Sequence, residues 1–129
     1  MTSDLTHIQT PTEQRGAQWW FAEHSFAEQG VTTAAGMVEN ARGDTMQYAA
    51  RRLLDQRLDH LEDVENVCDA LLCELRRTAP DVADMVERHY IKGEAWRVVG
   101  EAHGMSGMAA YQRAASTLAK APRPVSTVL

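Results

Sequence analysis

The sequence predicts an all-α protein with one long helix in its N-terminal arm and a group of three helices at its C-terminal end. Strand signals are nearly absent, since β-branched runs are few and apolar/polar alternation never persists. Apolar residues from Met46 to Leu75 recur at three- and four-residue steps, the period of one helical face. Glycine, serine and proline then punctuate the chain at intervals that suit short helices.

Residues 1–11 are polar, end in Pro11 and are expected to be loose. Thr10 or Thr12 suits the cap of a helix running to about Glu28, on which Trp19, Ala22 and Phe26 share a face widened by Trp20 and Phe21. Such an aromatic cluster needs a partner surface, and the chain's own long helix is the simplest one. Gly30, Gly36 and Gly43 are read as punctuation around a short helix, about Thr33–Ala41.

The long helix is expected from Asp44 to about Thr78, closed by Arg76, Arg77 and Pro80. At 1.5 Å per residue it would measure roughly 50 Å, more than the width of so small a domain. From Leu61 through Val64, Cys68 and Leu71 to Leu75 the steps alternate three and four, a short heptad-like seam. Either so long a helix breaks, or part of it packs against the N-terminal helix or, as a homodimer, against another subunit.

The 129 residues, 44% hydrophobic and 24% charged, fit a globular protein able to bury a core without metals or disulfides. No apolar run approaches the ~20 residues of a membrane span, and the first residues lack the regions of a signal peptide, so a cytoplasmic location is expected. Cys68 and Cys73, five apart, lack the converging partners of a zinc site. The five histidines form no ligand pattern, and Glu23-His24 and Asp59-His60, being sequence neighbours, point to different helix faces. With no phosphate loop or nucleophile elbow either, neither enzyme chemistry nor a cofactor is expected.

Net charge is −5, unevenly spread. Residues 1–80 hold thirteen acids against seven bases (−6), and residues 81–129 five acids against six bases (+1). An acidic body with a less acidic C-terminal end suits a nucleic-acid surface confined to that end.

That end carries the functional expectation. A helix from Asp81 to about Ile91 places Val82, Met85, Val86, His89 and Tyr90 near one face. After a turn at Gly93, Trp96, Val99 and His103 share a helical face. Gly104 stands where a helix ends, Met105 is placed to plug the space between two helices, and Ser106 suits the N-cap of the next. Gly100 is the small residue needed where the second helix leans on the first. In that second helix, about 107–120, Ala110, Ala114, Thr117 and Leu118 face inward. Gly107, Met108, Ala109, Tyr111, Gln112 and Arg113 are left on or near the outer side of its first half, the part that a helix-turn-helix presents to base edges. Gln and Arg have the geometry to read adenine and guanine. Arg97 and Lys92 are placed for flanking phosphates.

At Tyr90, Gly93, Val99, Gly100, Gly104, Met105, Ser106, Ala110 and Arg113 the chain resembles region 4 of sigma-70-type factors, over about residues 80–120. His103 stands where that family has Leu, Ala114 replaces a larger apolar residue, and the recognition helix is poorer in bases. The first 80 residues are unlike the sigma region that melts promoters. The layout is similar to small phage regulators, the late-operon activators of the ArpU and RinA type. The resemblance implies a transcriptional regulator that binds double-stranded DNA and contacts RNA polymerase, with an arm over 1–79, a helix-turn-helix over 80–121 and a flexible tail over 122–129. The alternative is a helical protein–protein adaptor, either a polymerase-binding or a phage packaging module, with little or no DNA binding.

Overall fold

In the computed structural model, which describes residues 15–121, the protein is all-α. The expected loose start at 1–11, the Thr10 or Thr12 cap and the tail over 122–129 lie outside the described residues. Among the described residues five α-helices follow one another: α1 (Ala17–Asn40), α2 (Gly43–Thr78), α3 (Pro80–Val86), α4 (Trp96–Ala102) and α5 (Gly107–Lys120). A π-helical turn, Glu87–Ile91, continues α3.

The N-terminal arm differs from expectation in two ways. First, α1 runs unbroken to Asn40, across Gly30 and Gly36, so the separate short helix near Thr33–Ala41 is absorbed into it. A glycine inside a helix costs about 1 kcal/mol relative to alanine. Pairing of α1 along α2, with Ala27 and Ala34 buried, outweighs two such terms. Second, the buried face is not Trp19–Ala22–Phe26. It is Ala17, Trp20, Phe21, His24, Ala27 and Ala34, while Phe26 is 65% exposed. Three consecutive aromatics at 19–21 allow either register of the wheel, and the small residues Ala27 and Ala34 select the one that lets α2 approach.

The long helix is intact over 36 residues, about 54 Å at 1.5 Å per residue. Its length is accommodated because α1 lies alongside it. Val64, Cys68, Leu71 and Leu75 of the heptad-like seam are buried within the chain, joined by Val67 and Leu72. Intramolecular packing is therefore the use the seam finds. His60 Nε2 meets Glu23 Oε2 at 2.8 Å across the two helices, a pairing hidden from sequence neighbours. Arg76 and Arg77 sit in the last turn of α2, and Pro80 occupies the first turn of α3, where its missing N–H has no partner to lose.

One core cluster unites Trp20 and Phe21 of α1, Val64 to Leu75 of α2, Val82 and Val86 of α3, and Ala114 and Leu118 of α5. A second, smaller one contains Met85, Val99 and Ala110, with Trp96 and Met105 packed against it. The C-terminal helices thus stand on the arm rather than beside it. Among the described residues no helix is long and apolar enough to cross a membrane.

Candidate nucleic-acid interface

The junction between α4 and α5 is set by three backbone requirements. α4 ends at Ala102, and Gly104 takes φ +71°, a left-handed conformation that reverses the chain at little steric cost for glycine alone. Met105 N–H then donates to Gly100 O at 2.9 Å. Ser106 caps α5, its Oγ accepting the Ala109 N–H at 3.0 Å. At Gly100 the close neighbour is the turn itself rather than a second helix: a Cβ would lie 2.6 Å from the carbonyl oxygens of Met105 and Ser106.

Gly107 corrects the expected outer face. A Cβ there would lie 2.9 Å from Arg97 N and 3.0 Å from Trp96 C, so this half-buried residue faces α4 instead of projecting outward. The contact brings the start of α5 against the start of α4, which places Arg97 beside the exposed edge of α5. Ala110, Ala114 and Leu118 are buried and Thr117 half-buried, as the spacing predicts. Met108 (66% exposed), Ala109, Tyr111 (40% exposed), Gln112 and Arg113 remain outside.

The support beneath this edge is aromatic. Trp96 stacks on His89 at 4.1 Å between centroids and meets the Tyr111 ring edge-on at 5.7 Å. Tyr90 touches Trp96 at 6.0 Å and stacks on Phe21 of α1 at the same distance. His89 is held by Glu94 O at 2.8 Å. The π turn makes this ladder, and it corrects the expected regular helix to Ile91. Lys92 N–H bonds Glu87 O, five residues back, and the widened turn aims His89 and Tyr90 toward Trp96 and α1 instead of continuing the Val82–Val86 face. Sequence reasoning missed the ladder because π turns leave no periodic signal; the rings of His89, Tyr90, Trp96 and Tyr111 were the only clue.

Electrostatics are closely balanced. Arg113 Nε donates to Asp81 Oδ2 at 2.6 Å, Arg88 bridges Asp84 (2.8 Å) and Glu94 (3.2 Å), and Arg97 reaches Glu101 at 3.4 Å. Glu87 pairs with Arg76 of α2 at 3.2 Å. His103, at the end of α4, lies 2.7 Å from Asp84 Oδ2, so a polar contact stands where a leucine would have filled the core. The hydrogen bond from Arg113 holds the Asp81 carboxyl below its ordinary range. Burial pushes Asp84 up, but the hydrogen bonds from Arg88 and His103 together leave it lowered as well. Lys92 is exposed but lines a groove of about 430 Å³ with Phe21, Ala22, Ser25 and Glu28, so its surroundings are those of α1.

Cys68 is buried, its thiol pushed up to about 12 by burial, whereas Cys73 is exposed. Among the described residues no three His, Cys, Asp or Glu side chains converge in a way that could hold a metal ion. No family model matches the chain, and neither a curated protein nor a solved structure does so.

Proposed function

We propose that the chain is a DNA-binding transcriptional regulator of the phage type, which lays the first half of α5 in the major groove. The observation that carries this reading is the division of α5. One face is buried against α3, α4 and the α1–α2 arm, while the capped N-terminal half presents Met108, Ala109, Tyr111, Gln112 and Arg113 together. That is the part a recognition helix inserts among base edges. Gln112 supplies an amide for adenine, and Met108 and Ala109 supply apolar contact for a thymine methyl. Arg97 exchanges Glu101 for a phosphate at small loss, since an exposed pair at 3.4 Å is worth at most about 1 kcal/mol. The acidic hairpin of α1 and α2 is left for a protein partner such as RNA polymerase.

A protein–protein adaptor is the second reading, favoured by one observation. Every acid from Asp81 to Glu101 is paired with a cation, and Met108, Tyr111 and Val98 are the large apolar groups left exposed on α4 and α5. Titration of a labelled mixed-sequence duplex across a salt series separates the two. Two to four phosphate contacts give a slope of log K against log salt of about −2 to −4. Affinity indifferent to salt, or no binding at low salt, favours the adaptor.

A further inference from the structure

We infer that Asp81 is a positioning residue of the recognition edge, fixing Arg113 so that its two terminal amino groups read one guanine. The inference rests on the DNA-binding reading above and adds a specificity to it. The carboxylate of Asp81, in the first turn of α3, accepts from Nε of Arg113 at 2.6 Å. The guanidinium carries five N–H groups in a rigid fork. With the Nε–H engaged, the terminal pair has no further partner among the described residues, and the side chain is 49% exposed. Asp81 therefore takes the inner edge of the guanidinium and leaves the outer one for a ligand.

The same carboxylate decides which ligand. A phosphate brought to Arg113 would meet the Asp81 charge beside it, and the pair as a whole is neutral. Guanine presents O6 and N7 as two uncharged acceptors side by side in the major groove, matched to the terminal amino pair. A neutral Arg–Asp pair is thus poorly suited to a phosphate and well suited to a base. A side chain already held in place also loses less freedom on binding.

The test is selection from a pool of random duplexes with the full chain as wild type, Asp81→Asn, Arg113→Ala and Arg113→Lys, each checked for its thermal midpoint. Wild type should enrich a site containing one fixed guanine. Asp81→Asn should bind duplex DNA at least as strongly overall, having lost a negative charge, yet lose about tenfold in preference for that guanine. Arg113→Ala should lose the same guanine and no other position. Arg113→Lys keeps the charge but not the fork and should lose that guanine too. Should Asp81→Asn fail to fold, Asp81→Glu, which keeps the charge and moves the carboxylate by one methylene, should lose it likewise, and an unchanged preference in Asp81→Glu would overturn the inference. Asp81→Asn with the guanine preference unchanged or sharpened would overturn the inference, and would make Asp81 a mask over Arg113 instead. A wild type that binds no duplex overturns the DNA-binding reading, and this inference with it.

Discussion

An added methyl at Gly100 would sit 2.6 Å from two backbone oxygens and 2.7 Å from Ser106 C. None of these is the movable end of a side chain, so the turn itself would have to shift. Gly104 differs, because a methyl there meets nothing within 4 Å and the difficulty is only the left-handed backbone at φ +71°. Gly100→Ala should therefore destabilise by about 3 kcal/mol, at the upper end of overpacking, and Gly104→Ala by about 1 kcal/mol. Denaturant titration ranks them, and the opposite order would mean the turn is not packed as described. Gly104 and the Ser106 cap were readable in the sequence, because each follows from local backbone geometry, whereas Gly100 was singled out for a helix contact and its close neighbour is the turn. The partner of Arg113 was not. Asp81 lies 32 residues away, and only the docking of α3 against α5 brings the two together.

The Arg113–Asp81 pair also gives a pH dependence with a defined sign. The folded-state carboxyl is lowered from 3.8, so its contribution to stability is present above that value and is lost as pH falls through the folded one. Arg113 does not titrate in this range. The difference in thermal midpoint between wild type and Asp81→Asn should stay constant from neutrality to about pH 5 and close below about pH 4. A gap that closes near neutrality instead would assign it to another group.

Among the elements, the long helix was the easiest to foresee. Its apolar steps of three and four persist from Met46 to Leu75, and the structure begins it one residue before Asp44 and ends it at Thr78. α1 was harder, since Gly30 and Gly36 resemble breaks, and only its tertiary pairing with α2 overrides them. Its buried stripe was misplaced by the aromatic run at 19–21, which fits two registers of the wheel equally well. The π turn at Glu87–Ile91 was invisible, because neither helix period nor capping marks a bond that reaches five residues back. This turn nevertheless aligns His89 under Trp96, and Trp96 under Tyr111, so the orientation of the exposed edge depends on it.

For the molecule as a whole, the main core is shared by α1, α2, α3 and α5, so α5 is fastened to the arm through Ala114 and Leu118. Its N-terminal half rests instead on the smaller cluster of Met85, Val99 and Ala110. The arrangement leaves one end of α5 fixed in the body and the other presented outward. Sequence periodicity could anticipate the inward residues Ala110, Ala114 and Leu118, but not how α3 neutralises the arginine beside them.

Mapping of backbone amide shifts in the full chain, as an unlabelled duplex is added at low salt, tests the central claim most directly. The account predicts perturbations concentrated at Ser106–Arg113 and at Arg97, with the α1–α2 tip around Met37 and Tyr48 unaffected. Shifts confined to that tip, or to no region at all, would contradict it.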